Sequence, residues 1–293
     1  MKSMVAWAAG AFLALSAGAQ QGEKVDKRHP AAPDGVVEIE VPAGTLSVVG
    51  WDRPEVWVTG TLGRRVASIE VTGEARRVRV EVDTEGYNPL RARADLEVHV
   101  PAGSRVEVEA FSAPIKASGL SGSLKAETVH GGISVSGSLQ EVSLETVNGG
   151  VDLAGTAERT AIEAVNGPVT IKGARGRLKA SAVNGSLTVE GEAFEAVELE
   201  TVSGALTFRG TLRPKASLDA DSVSGAIELW LPAEVAADFS VETFSGSIAN
   251  DFGPEAESRS RHTPQKELSF TTGGGGATVS VSSLSGSIRL KKR

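Results

Sequence analysis

The chain has no cysteine in 293 residues. That excludes a disulfide framework, thiolate metal sites, a cysteine nucleophile and a lipid-modified cysteine behind a leader. Aromatic residues make up 4% of the chain, with one tyrosine, so no row of sugar-stacking or base-stacking rings is evident. His29, His99, His130 and His262 are the only histidines, and they lie far apart without metal-ligand spacing. No apolar run reaches the ~20 residues that a bilayer-spanning helix needs. Basic character is also missing. The net charge of -7 suits solubility and argues against nucleic acid as a partner.

What is present begins with a leader. Lys2, an apolar stretch from Met4 to Leu15 and the ending Ser16-Ala17-Gly18-Ala19 predict a secretory signal peptide over residues 1–19. Residues 20–33 are expected to be a disordered leader of the mature chain. The remaining ~270 residues can build a sizeable core without staples. The expected location is the periplasm, or the outer cell surface after secretion.

Along most of this length one phrase recurs: an apolar residue, Asn or Ser, Gly, a spacer, then two apolar residues around a polar one. Copies run from Val129-His130-Gly131 through Val147-Asn148-Gly149, Val165-Asn166-Gly167 and Val183-Asn184-Gly185. They continue as Val202-Ser203-Gly204, Val223-Ser224-Gly225, Phe244-Ser245-Gly246 and Leu284-Ser285-Gly286. The first four glycines are 18 residues apart, and later steps are 19, 21, 21 and 40. Units this short cannot bury their own apolar face, so neighbours must stack. Seven and five residues before each glycine stand apolar pairs such as Val142/Leu144, and pairs such as Leu206/Phe208 follow it. Period-two alternation predicts two short strands per repeat, each with one buried face.

Antiparallel hairpins and a β-solenoid both fit this pattern, since Asn-Gly is a strong hairpin signal. Two details favour the solenoid. Pro168, which has no N–H, stands where a two-residue hairpin needs a donor. The residue two before the glycine is always Val, Leu or Phe, and a bend would let it turn inward. The expected fold is therefore all-β: a parallel β-helix-like solenoid of 18–21-residue coils over residues 111–293. A β-rich segment over 34–110 should continue into the coils and cap them, with a loop around Tyr87-Asn88-Pro89. The polar stretch 251–276 reads as an inserted loop or degenerate coil before a last repeat at Val279–Leu290.

The strand-Gly-strand run from Gly44 to Trp51-Asp52, then Val100-Pro101-Ala102-Gly103, then the serial Val-Asn/Ser-Gly repeats resemble a known group. They are similar to the bacterial candidate-adhesin β-strand-repeat family of unknown function, related to head domains proposed for auto-transporter adhesins. The resemblance covers roughly residues 34–290 and implies a fold and a binding role. It carries no catalytic residues.

One column of side chains invites a functional reading. Four residues before the glycines stand Glu127, Glu145, Glu163, Ser181, Glu200, Asp221, Glu242 and Ser282. Stacked coils would set neighbours ~4.8 Å apart, an acidic ladder whose repulsion a cation or basic partner would relieve. One carboxylate per coil supplies too few oxygens for a rigid calcium site, so flexible solvated carboxylates near Lys125, Lys172 and Lys179 are the plainer reading. The turn column His130, Asn148, Asn166, Asn184, Ser203, Ser224 and Ser245 should serve corner backbone groups. Gly273–Gly276 is followed by no Lys-Ser/Thr pair and is no phosphate loop. For catalysis, Asp219 and Asp221 are the best carboxylate pair, ~7 Å apart along a strand as in inverting glycosidases. The expectation is a non-enzymatic, exported structural or binding protein without cofactor, acting on an envelope or surface partner, protein or glycan. The alternative is a polysaccharide-active β-helix enzyme.

Overall fold

The computed structural model describes residues 22–84, 92–258 and 264–293. The signal peptide, the Tyr87–Pro89 loop and His262 lie outside the described residues. Every described element is a strand, joined into one sheet system that winds as a β-solenoid.

The N-terminal strands are β1 (Glu23–Pro30), β2 (Val36–Trp51), β3 (Glu55–Leu62), β4 (Val66–Glu74), β5 (Arg77–Thr84), β6 (Arg93–Pro101), β7 (Arg105–Ser112) and β8 (Ile115–Leu120). The repeats follow as β9 (Ser123–His130), β10 (Ile133–Asn148), β11 (Val151–Asn166), β12 (Val169–Asn184), β13 (Leu187–Ser203) and β14 (Leu206–Ser224). The C-terminal strands are β15 (Ile227–Leu231), β16 (Ala237–Asn250), β17 (Glu257–Ser258), β18 (Lys266–Thr272) and β19 (Ala277–Lys292).

Each long repeat strand serves two faces. Ile133–Ser136 of β10 pairs with β8, whereas Glu141–Asn148 pairs with β9, so the strand crosses between faces near Gly137. Parallel pairing then runs from β10 to β14 with each residue over its counterpart in the previous repeat, except for bulges over Lys172–Arg177 and Gly191–Ala196. Alternation puts Ile133, Val135, Val142 and Leu144 inside, meeting between the two faces. Leu206 and Phe208 are buried and stack between Leu187/Val189 and Ile227/Leu229, as the columns require.

The repeat's glycine has a specific steric cause. A Cβ on Gly167 would lie 2.1 Å from the carbonyl oxygen of Gly149 in the coil beneath, and the same oxygen-to-coil contact recurs at Gly204, 2.0 Å from Gly185 O. Coils can close to strand spacing at this corner only where a side chain is missing. Three residues back, Thr146 Oγ1 donates to the corner carbonyl of Gly131 at 3.0 Å and Thr128 Oγ1 to that of Ala113 at 3.3 Å, whereas Thr201 Oγ1 donates to Ser222 Oγ in the next coil at 3.1 Å.

Both ends depart from chain order. The β2 coil lies inside an outer coil made of β5 and β6, with β7 and β8 on its other side. Antiparallel β4 and β3 then cover β5 and β6. At the far end β19 slots between β14/β15 and β16, and antiparallel β18 covers the first half of β16. Two expectations change here. Residues 23–30, read as part of a disordered leader, form β1, because their backbone completes the open edge of β3 from Glu23↔Leu62 to Pro30↔Glu55. The stretch 251–276 holds the antiparallel cover strand β18, with Phe239, Phe252 and Phe270 stacked beside it, Phe239 and Phe270 at 4.5 Å. The repeat at Val279–Leu290 is last in sequence but not outermost in space.

Candidate functional site

Strand register assembles the site. The acidic column extends further than the repeats alone suggest. Glu81 pairs with Glu40, Glu40 with Glu109, Glu109 with Glu127, Glu127 with Glu145 and Glu145 with Glu163. Six glutamates thus stand on consecutive rungs. Beyond them the column runs through Ser181, Glu200, Asp221, Ser282 and Glu242.

Two residues further along each strand lies a second outward column, and it is apolar. The expectation that a bend turns these residues inward is corrected by the structure. Alternation continues unbroken through Glu145 out, Thr146 in and Val147 out, and the chain bends only after Asn148. Val147, Val165 and Val183 keep 40%, 39% and 38% of their surface in solvent. Val202, Val223, Phe244 and Leu284 are also exposed, as is Phe111 on the N-terminal side. Register puts Pro42, Phe111 and Val129 in the same column.

The two columns line one shallow groove of about 610 Å³. Its acidic wall is formed by Glu40, Glu81, Glu109, Glu127, Glu145 and Glu163, and its apolar wall by Pro42, Phe111, Val129, Val147, Val165 and Val183. The far lip of the apolar wall is the turn column. Asn166 Nδ2 donates to Asn148 Oδ1 and Asn184 Nδ2 to Asn166 Oδ1, both at 3.0 Å, and Asn148 lies 3.2 Å from His130 Nδ1. The asparagines therefore bond chiefly to one another, rather than to corner backbone groups as expected. Asn166 commits one N–H and one acceptor site to its neighbours in the row.

The acidic wall is under-compensated. Lys125 pairs with Glu127, and Arg79 with Glu40 at 3.0 Å. Among the described residues, Glu109, Glu145, Glu163 and Glu200 form no ion pair. Partial burial, then the neighbouring charges of Glu127 and Glu163, hold the Glu145 carboxyl above its ordinary range, with Lys125 opposing. Of the three lysines expected nearby, Lys179 pairs with Glu198 at 2.7 Å, and Lys172 lies on the other half of its coil. Among the described residues no group of three His, Asp or Glu is gathered to hold a metal ion.

The remaining sequence candidates separate. Asp219 borders a second depression of about 400 Å³ beside Glu198 and Lys179. Asp221 does not line it and instead accepts a hydrogen bond from Ser282 Oγ at 2.5 Å. The two lie on an open strand face rather than across a cleft. Gly273–Gly276 forms the turn into β19, with left-handed φ of 59°, 81°, 81° and 152° in succession. At the N-terminal end Trp51, Trp57 and His99 cluster with centroids 5.0–5.9 Å apart. Arg28 and Arg53 sit over the two indoles at 4.4 and 5.1 Å, which closes these rings to a stacking ligand. Sequence columns located the acidic wall but misjudged the apolar one, although its unbroken Val/Leu/Phe identity was the available signal.

The profile described as Toastrack DUF4097 matches residues 55–291. No curated protein matches. Among solved structures, a candidate adhesin from Bacteroides fragilis is similar at 10% identity, with TM-score 0.39 over 92% of this chain and 97% of its own. A candidate adhesin from Parabacteroides merdae gives 9% identity and TM-score 0.38 over 92% and 96%. A candidate cell adhesion protein from Clostridium sporogenes gives 11% and 0.25 over 92% and 100%. Among the described residues no helix is long and apolar enough to cross a membrane.

Proposed function

The chain belongs to the Toastrack DUF4097 family, and from that premise we propose that it is a non-enzymatic, exported binding or scaffold protein of the cell envelope, adhesin-like in role. The groove between the acidic and apolar columns is its contact surface. One observation carries this reading: a continuous outward apolar column runs beside the unpaired carboxylates Glu145 and Glu163 on strands paired on both sides. Exposed apolar patches that run continuously mark interaction sites far more often than scattered ones do. The leader supports export to the periplasm or the cell surface.

The test uses the full mature chain and isolated cell-envelope material. The triple variant Val147→Ser/Val165→Ser/Val183→Ser should stay folded by circular dichroism, because these side chains lie outside the core, and should lose binding. Retained binding would remove the groove from the proposal. Turnover of uronic-acid or neutral glycans, abolished by Asp221→Asn, would replace the whole reading with the enzymatic one. Recovery of a mature chain starting at Gln20 checks export.

A further inference from the structure

We propose that the occupant of the groove is a basic amphipathic helix of another polypeptide, about four turns long, laid along the columns and across the strands. This deepens the reading above and rests on it. Three features of the groove point to that shape and charge.

The first is pitch. Successive rungs are one strand spacing apart, ~4.8 Å. A helix lying along the column offers a new residue on the same side every turn, ~5.4 Å. The mismatch of ~0.6 Å per turn grows to about half a rung over four turns, so a helix stays in step for roughly 15 residues. An extended strand in the same direction repeats its same-side residues at roughly 6.6–6.8 Å. It would fall out of step after about one rung. Strands β9 to β13 are moreover paired on both sides, so they offer no open backbone edge to a visiting strand.

The second is handedness of charge. The glutamate column lies two residues from the valine column on one side only. On the other side stand His130, Asn148, Asn166 and Asn184, neutral or self-bonded. A complementary helix therefore carries an apolar stripe with Lys or Arg along one edge and neutral polar residues along the other. That asymmetry fixes the direction in which it lies.

The third is unmet demand. Glu145 and Glu163 stand in register with each other and form no ion pair among the described residues, with Lys125 and Lys179 committed to Glu127 and Glu198. A lysine or arginine edge supplies them in a site walled by valines, where the field is less screened than in open water. Polyanions and anionic lipid surfaces are repelled by the same column, and a second copy of this chain, at net charge -7, is a poorer complement.

Four synthetic 15-residue probes test the idea by fluorescence anisotropy against the mature protein. The first is a helix with a leucine stripe and lysines on one edge. The second replaces the lysines with glutamates, the third scrambles the composition of the first, and the fourth breaks the helix with two prolines. The first should bind most tightly, at least about tenfold better than each of the others, and more weakly as salt rises. Both Val147→Ser/Val165→Ser/Val183→Ser and Glu145→Gln/Glu163→Gln should weaken it about tenfold while circular dichroism shows the β fold retained. Equal binding of the scrambled probe would reduce the effect to charge alone and overturn the proposal. Better binding of the proline probe, or no binding of the first, would also overturn it. If envelope binding is lost in the valine variant while no helix probe binds, the contact surface stands and only the helix falls. If neither responds, both fall.

Discussion

The coils formed by β10, β11 and β12 and those formed by β13, β14, β19 and β16 share one architecture but solve it with different residues. The first group steps by 18 residues, carries asparagine at the turn and sits over consecutive glutamates. The second steps by 19 and 21, carries serine at the turn, and interrupts its acids with Ser282 after Glu200 and Asp221, whereas Ser181 ends the glutamate run of the first. Its apolar column is also barer: Val202 and Val223 are 45% and 46% exposed, Phe244 and Leu284 55% each. The extra residues go to the opposite corner, where Ala193 and Lys215 adopt left-handed φ of 56° and 65°. There the interior widens, and Phe194 and Phe208 fill it with rings 5.5 Å apart. Gly191 and Gly210 leave the room that those rings occupy. The contrast teaches that the core tolerates length changes at one corner, while the groove corner keeps its spacing throughout.

Four perturbations break or sharpen that comparison. The largest effect is expected from Phe208→Ala, which empties the widened core of the second group and should cost about 3–5 kcal/mol in chemical denaturation. A loss under roughly 1 kcal/mol, close to the range for surface sites, would contradict its burial. Gly167→Ala and Gly204→Ala should each cost on the order of 2–3 kcal/mol. The two should match, because a carbonyl of the coil beneath occupies the Cβ position in both groups. Unequal losses would show that one corner can open.

Asn166→Ala removes two side-chain bonds of the asparagine row and should cost about 1 kcal/mol, against less than ~0.5 kcal/mol for Ser224→Ala. Thermal melts of both variants would separate a bonded turn column from an unbonded one. The smallest effect concerns charge. Glu145→Gln should stabilise the protein at pH 7 by about 0.2–1 kcal/mol, and Ser181→Glu should destabilise it by a similar amount. The sign follows from the raised Glu145 carboxyl. The folded state binds that proton more tightly than the unfolded chain, so the penalty is absent below the unfolded value and grows as pH rises through the folded one. The benefit of Gln should therefore shrink when melts are repeated in acid; a benefit that grows there would reverse the assignment.

Much of this was legible from spacing. Alternation around Val142/Leu144 and Leu206/Phe208 identified the buried columns, and Pro168 argued correctly against hairpins. The glutamate column could be read because parallel stacking preserves sequence offset as position. Three matters were illegible for physical reasons. Val147 looked like a core residue because hydrophobicity alone does not tell which side of a bend a side chain takes. Residues 23–30 carry no strand pattern of their own, with only Val25 and its neighbours to pack, and are ordered by the edge of β3. The position of β19 depends on pairing across 61 residues, from Asp221 to Ser282, which no local signal encodes.

The out-of-order ends have a consequence for how such a molecule can change length. Because β5 and β6 lie outside β2 at one end, and β16 lies outside β19 at the other, neither end can be lengthened by adding a repeat after it in sequence. A duplicated or deleted 18-residue unit between β10 and β12 would leave both closures untouched. It would change the groove by one rung, ~4.8 Å. The molecule is thus a ruler that can be recut only from its middle, and the reach of its contact surface is a whole number of turns.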